Sequence, residues 1–132
     1  MMTGRDWIRR LQRRIDRLGV DLEFGSRYAR AQDAEAIMVH SIDHPRILIC
    51  FRDQDPTVSA VLEELAHAAQ VRRGHFSHLD AEEQIIRREI EANECLDRLG
   101  ERLQLSEDER AGTRQRLAQE RARLARRARW YR

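Results

Sequence analysis

The chain has 132 residues, the size of one ordinary domain with a single hydrophobic core. Hydrophobic residues make up 41% and aromatic residues 5%, whereas 36% of positions are charged, so we expect a mostly helical protein with an aliphatic core. All 25 basic residues are arginine, which excludes lysine-based chemistry such as a Schiff base, and the net charge of +2 is too small to indicate nucleic-acid binding by itself.

The N-terminal segment predicts a helix and then a strand. Apolar residues recur at helical spacing over residues 5–18, and Gly19 follows as a stop signal. Val20, Leu22 and Phe24 then alternate with acidic residues, which is typical of a half-buried strand. The segment has no long apolar stretch, so we expect neither a signal peptide nor a membrane span, and a cytoplasmic location.

The middle of the chain predicts a hairpin followed by a long helix. Residues Ala36–His40 and Arg46–Phe51 read as two strands around a turn, which favours an antiparallel hairpin. Asp55 precedes a proline that suits the first helical position, so we expect a helix over residues 56–73, ended by Gly74.

Two further helices are predicted in the C-terminal half. A capping box of Asp80 and Glu83 opens a helix over residues 82–99. A basic helix follows over residues 107–130, and from Arg110 onward the chain carries nine arginines and one acidic residue. The apolar residues of this helix are seven apart and form a seam too narrow to bury much area: Leu117, Leu124 and Tyr131.

These elements predict one α+β domain over residues 1–132, mostly helical, with a small antiparallel β-hairpin or sheet. Its core is expected over about residues 20–105, flanked by the N-terminal helix 5–18 and the basic helix 107–130. No internal repeat and no Ser/Gly/Pro-rich linker divides the sequence.

The most informative chemistry lies in the predicted helix over residues 56–73. At 100° per residue, Glu63 and His67 share one face, and alanines flank them there. Residues four apart on a helix can bind the same metal ion, and Glu64 follows Glu63 directly. The layout predicts a cleft that binds a metal ion.

The segment EELAH, Glu63 to His67, resembles the HExxH motif of zincin metallopeptidases with glutamate in place of the first histidine. In that motif the two histidines bind zinc, and the glutamate after the first activates water. The resemblance implies that Glu63 and His67 are zinc ligands and that Glu64 is the general base. Carboxylate oxygen binds zinc at nearly the same distance as imidazole nitrogen, although such an oxygen-rich set would also suit manganese or iron.

A zincin also needs a third ligand, often a glutamate on the following helix. Glu89 lies near the middle of the apolar face of that helix, where a charge is costly unless it is paired or binds a metal. Glu89 is therefore the predicted third ligand, with Glu91 in reserve on the far side. Asn93 shares the face of Glu89 and is expected to orient a ligand. Gln70, one turn beyond His67, either contacts substrate or only caps the cleft.

The wider pattern over residues 36–124 resembles an uncharacterised zincin-like domain found at the C-termini of bacterial polymorphic toxins and phage-associated proteins. The pattern combines a hairpin strand, the segment EELAHAAQ and the downstream segment REIEANE. The resemblance implies a metal-dependent hydrolase that cuts a protein or peptide as a toxin or effector. It also implies an immunity or delivery protein as partner, and delivery into a target cell.

Two other functions fit the residues. The arginine-rich helix 107–130 would allow a non-enzymatic helical module to bind an acidic protein or nucleic acid, although the low net charge does not favour nucleic acid. Residues 64–67 also form the ExxH element of di-iron proteins, but the sequence has no second ExxH. A binding module predicts sensitivity to salt, whereas a metallopeptidase predicts sensitivity to chelators.

Overall fold

A computed structural model describes residues 2–41 and 43–130. The chain forms two compact units, Met1–Ala69 and Gln70–Arg132. The described elements are α1 (Gly4–Arg10), α2 (Gln12–Leu18), β1 (Val20–Glu23), α3 (Arg27–Ala31), β2 (Ala36–Val39), β3 (Ile47–Phe51), α4 (Val58–Arg73), α5 (Ala81–Leu99) and α6 (Glu107–Trp130). The predicted α+β, mostly helical fold class is confirmed, whereas the single domain over residues 1–132 stays a prediction.

The helix predicted over residues 5–18 is divided into α1 and α2. Thr3 caps α1 through a reciprocal pair of hydrogen bonds with Asp6. Leu11 leaves the helical conformation with φ −98° and ψ 11°, which separates the two helices. Gly19 ends α2 in the left-handed conformation, with φ 67°, as its position after the last apolar residue predicted.

The sheet is mixed rather than antiparallel throughout. β2 and β3 form the predicted antiparallel hairpin, and β3 is the central strand. β1 pairs with β3 in parallel, from Val20 opposite Ile47 to Glu23 opposite Cys50. The chain between β1 and β3 contains α3 and β2, which is long enough for the crossover that parallel pairing requires.

Helix α3 was not predicted from the sequence. It has only five residues, too few to show a helical repeat of apolar positions. Its one local signal is Ser26, whose buried hydroxyl accepts a hydrogen bond from the backbone N–H of Ala29 at 3.2 Å.

Helix α1 approaches the residues that lead into α4. A Cβ atom at Gly4 would overlap the carbonyl oxygen of Pro56, so the two backbones touch where α1 begins. The Arg5 guanidinium lies 3.5 Å above the centre of the Phe24 ring and donates two hydrogen bonds to the carbonyl oxygen of Gln54. These contacts fix the approach to α4 within the first unit.

Helix α4 begins two residues later than predicted. The hydroxyl of Thr57 accepts a hydrogen bond from the backbone N–H of Ala60 at 3.2 Å, so Thr57 rather than Asp55 caps the helix. Its C-terminal end is the predicted one, because Gly74 follows Arg73 with a left-handed φ of 62°.

Helices α5 and α6 pack against each other in the second unit. Helix α5 begins at the predicted cap, since Asp80 accepts a hydrogen bond from the backbone N–H of Glu83. Helix α6 is capped in the same way by Ser106, which accepts from the N–H of Glu109. The buried residues of these two helices are Ile86, Ala92, Asn93 and Leu96 of α5, and Thr113 and Leu117 of α6. Ile85 is 56% exposed because it lies one residue, or 100°, from the buried Ile86.

Arginines of α6 pair with carboxylates of α5 and of its capping residue, Asp80. We call these contacts the ion-pair row: Arg114 with Asp97 at 3.1 Å, Arg121 with Glu94 at 3.2 Å, and Arg127 with Glu82 at 2.8 Å and with Asp80. Of the predicted narrow seam, Leu117 is buried and Leu124 half-buried, and Tyr131 lies outside the described residues. Across residues 2–41 and 43–130, every helix is too short or too polar to cross a lipid bilayer.

Candidate metal centre

Glu63 and His67 lie one helical turn apart on α4. The Nε2 atom of His67 is 3.7 Å from the Oε1 atom of Glu63. His67 is only 8% exposed, and Ala60 and Gln70, on the same side of the helix, are buried as well. This face, which the sequence pattern alone marks as polar, is therefore not a solvated surface.

Glu89 of α5 offers the third candidate ligand atom. Glu63, His67 and Glu89 each offer one ligand atom, and the three atoms lie within 4.8 Å of one another. Ligand atoms about 2.1 Å from one ion and arranged tetrahedrally are roughly 3.4 Å apart. The separation of 3.7 Å between Glu63 and His67 is already close to that value, so these three residues could hold a metal ion.

The donor set suits a divalent cation. Two carboxylates at this spacing repel each other, and a divalent ion placed between them replaces that repulsion with attraction. The charges then balance, because two carboxylates and one neutral imidazole carry a total charge of −2. Zinc accepts this set of oxygen and nitrogen ligands, and manganese and iron accept it as well.

Asn93 contacts Glu89 from the next turn of α5. Its side chain is fully buried, and its Nδ2 atom donates to the backbone carbonyl of Glu89 at 2.8 Å and lies 3.4 Å from the Glu89 Oε2 atom. Its Oδ1 atom accepts a hydrogen bond from Nε of Arg116 at 3.3 Å. The predicted role of Asn93 in orienting a ligand stays a prediction, but the amide lies where that role requires it.

Glu91, the reserve ligand, has other contacts. The Gln70 side chain is 3% exposed, and its Nε2 atom donates to Oε1 of Glu91 at 3.0 Å and to the carbonyl oxygen of Arg88 at 3.1 Å. The same Oε1 atom of Glu91 lies 3.2 Å from Nδ1 of His75. The geometry thus favours Glu89 over Glu91 as the ligand, and Gln70 is used to hold Glu91.

Glu64 follows Glu63 on α4 and is half-buried. Its role as general base was assigned only because it follows the candidate ligand Glu63 in the segment EELAH. That role stays a prediction.

Cys50 is not a member of the candidate ligand group. The thiol is buried in β3, and burial first and the nearby Glu23 carboxylate second raise its pKa.

Arg116 was not among the predicted site residues, although the spacing of residues on α6 places it on a packing face. Positions 113, 116, 117, 120 and 124 recur at spacings of three and four, which is the period of a helix face that packs on a neighbour. Among these, Thr113 and Leu117 are buried, so Arg116 lies on the side of α6 that faces α5.

The chain matches no protein-family model, and no curated protein or solved structure is significantly similar to it. The resemblance to zincins and to toxin-associated domains therefore rests on the residues quoted for it, and it stays a prediction.

Proposed function

We propose that this protein is a metal-dependent hydrolase of the zincin-like type that cleaves a peptide bond. The observation that supports the proposal most is the group formed by Glu63, His67 and Glu89, whose ligand atoms lie within 4.8 Å of one another. The first two side chains are fixed by one turn of α4, and the third is contacted by a buried amide on α5.

In this proposal Glu63, His67 and Glu89 hold the ion, with zinc as the first choice and manganese or iron as the alternatives. Bound zinc would polarise the substrate carbonyl and make water more acidic. Glu64 accepts a proton from the attacking water and passes it to the leaving amine. The low exposure of His67 keeps bulk water away from the imidazole.

The ligand assignment is tested by metal affinity. We expect about one zinc per wild-type chain, measured by elemental mass spectrometry and by competition with a chelator. His67→Ala and Glu89→Gln should lose the zinc, because each removes one ligand of three. Glu91→Gln is the matched control, since it makes the same change two residues away on α5 and should retain the metal.

Two outcomes would overturn the assignment. Wild-type protein that takes up none of zinc, manganese or iron on reconstitution would show that the group is only an ion-pair cluster. Equal zinc affinity in Glu89→Gln and in the wild type, with helix content unchanged by circular dichroism, would remove Glu89 from the site.

The catalytic assignment is tested separately with Glu64→Gln. The loss of a general base typically costs 10²–10⁴-fold in rate, so we expect hydrolysis of a quenched peptide library to fall by about that factor while the zinc content is kept. A fully active Glu64→Gln variant would remove this role from Glu64. Hydrolysis in the wild type should stop on addition of a chelator and return with zinc.

The alternative, a module that binds through its arginine helix, has less support. Arg114, Arg121 and Arg127 of α6 already contact carboxylates in the ion-pair row. A phosphate backbone or an acidic peptide would have to displace those carboxylates before it could use the same guanidinium groups.

A further inference from the structure

The buried amide of Asn93 has hydrogen bonds at both ends. Its nitrogen end faces Glu89, where it reaches the backbone carbonyl at 2.8 Å and the carboxylate at 3.4 Å. Its oxygen end faces α6, where it accepts from Nε of Arg116 at 3.3 Å. A buried amide destabilises the protein if either end lacks a hydrogen-bond partner, so both contacts determine how this side chain is held.

The direction of these bonds follows from the groups involved. Arginine only donates hydrogen bonds and a carbonyl oxygen only accepts them. Arg116 therefore requires the oxygen of the amide, and the carbonyl of Glu89 requires its nitrogen. The two requirements agree, and they leave an N–H group of Asn93 directed at the Glu89 carboxylate.

We propose that Arg116 is a positioning residue of the metal site: it holds Asn93, and Asn93 holds the carboxylate of Glu89. The inference rests on the proposed function, because it assigns α6 a part in metal binding. Outer partners of metal ligands fix the ligand's orientation, and their loss typically weakens metal affinity about 10–100-fold.

Arg116 differs from its neighbours on α6 in what it contacts. Arg114, two residues earlier, donates from the same atom type, Nε, at a similar distance of 3.1 Å, but to the carboxylate of Asp97. Asp97 is not one of the three candidate ligands. The two arginines therefore form a matched pair that separates an effect on the metal site from a general effect on the packing of α6.

The test measures the zinc dissociation constant of the full chain by chelator competition. The side-chain methyl of methionine occupies the position of the arginine Nε, and glutamine places an N–H donor at that same position. We expect Arg116→Met to raise the dissociation constant about 10–100-fold, and Arg116→Gln to restore most of the affinity. Arg114→Met should leave it within about twofold of the wild type. The visible spectrum of bound Co²⁺, which responds to ligand geometry, should change only in Arg116→Met.

Each other outcome has a defined meaning. If Arg116→Met binds zinc as tightly as Arg114→Met, the inference is overturned and the proposed function stands. If the wild type binds no metal, both fall. If Arg116→Met does not fold, Arg116→Glu replaces it, because glutamate matches glutamine in size but offers Asn93 no donor. Equal zinc affinity of the Glu and Gln variants then overturns the inference.

Discussion

Asn93 links the candidate ligand Glu89 to the neighbouring helix α6. It is fully buried, and its amide meets a backbone carbonyl and a carboxylate on one side and a guanidinium on the other. A buried polar group of this kind stabilises the protein only while every partner is present, because the low dielectric that strengthens the bonds also raises the cost of losing one.

Asn93→Asp is expected to destabilise the protein. The change keeps the size of the side chain but replaces the donor that faces Glu89 with an oxygen, so that acceptors face each other inside the protein. A buried group left without its partner costs about 1–3 kcal/mol. Urea denaturation at pH 7 measures the difference, with Glu94→Gln on the exposed side of α5 as control. Wild-type stability in Asn93→Asp would contradict the network described here.

At the scale of elements, the glycines of α1 and α6 have opposite effects on the stability of their helices. Gly4 opens α1 at a point where a Cβ atom would overlap the carbonyl oxygen of Pro56. Gly112 lies inside α6, and the nearest atom to its Cβ position is the mobile end of Arg116 at 3.4 Å. The first glycine is required by close packing, whereas the second only weakens its helix.

The same substitution at these two positions should therefore have effects of opposite sign. Gly4→Ala is expected to lower the free energy of unfolding by about 1–3 kcal/mol through overpacking. Gly112→Ala is expected to raise it by about 0.5–1 kcal/mol through higher helix propensity. Denaturant titration of both variants measures the two values, and a stabilised Gly4→Ala variant would be inconsistent with the contact between α1 and Pro56.

A pH-dependent contact joins β1 to the residue before β3. Arg46 donates two hydrogen bonds to the Asp21 carboxylate, at 2.8 and 2.9 Å, and they hold the pKa of Asp21 below its ordinary value of 3.8. A lowered carboxyl pKa adds stability above the unfolded-state value, and that stability is lost as the pH falls through the folded-state value.

Asp21→Asn should accordingly lower the melting temperature slightly at pH 7, by at most roughly a few degrees, because both groups are exposed to solvent. The difference from the wild type should shrink as the pH falls below 3.8. Thermal melts between pH 2.5 and 7 would measure it, and a difference that grows toward acid pH would contradict the assigned direction.

Local signals in the sequence predict most of these elements. The hairpin, the caps of α5 and α6 and the pairing of Glu63 with His67 each depend on residues close together in the chain. The parallel pairing of β1 with β3 depends on a long crossover, and the contact between Arg116 and Asn93 depends on how two helices pack. The crossover leaves no pattern in a short window of sequence. The helical spacing around Arg116 marks a packing face but does not identify Asn93 as its partner, so neither the mixed sheet nor this contact was predicted.

For the whole molecule, the balance of positive and negative charge, rather than the number of arginines, determines whether we expect binding to nucleic acid. The net charge is only +2, and the ion-pair row couples arginines of the basic α6 to acidic residues of α5 or just before it. We therefore expect the wild type to bind single-stranded DNA poorly at 150 mM salt.

Removing the carboxylates that contact these arginines is expected to allow the protein to bind single-stranded DNA. A variant combining Glu94→Gln and Asp97→Asn removes the carboxylates that contact Arg121 and Arg114, whereas Arg127 keeps its contacts with Glu82 and Asp80. Each phosphate contact on a single strand adds about 0.7 to the slope of log affinity against log salt, so two new contacts should steepen the slope by up to roughly 1.4. Fluorescence anisotropy at several salt concentrations measures it. Micromolar binding by the wild type at 150 mM salt would instead favour the binding-module alternative.

The ion-pair row also limits how the protein can be regulated by covalent modification. Acetylation switches off a lysine by removing its charge, but residues 1–132 contain no lysine side chain for such an enzyme to act on. Methylation of Arg114, Arg121 or Arg127 would retain the positive charge and only block some hydrogen bonds. Lysine acetylation, the commonest modification that removes the charge of a basic residue, therefore cannot weaken the electrostatic attachment of α6 to α5.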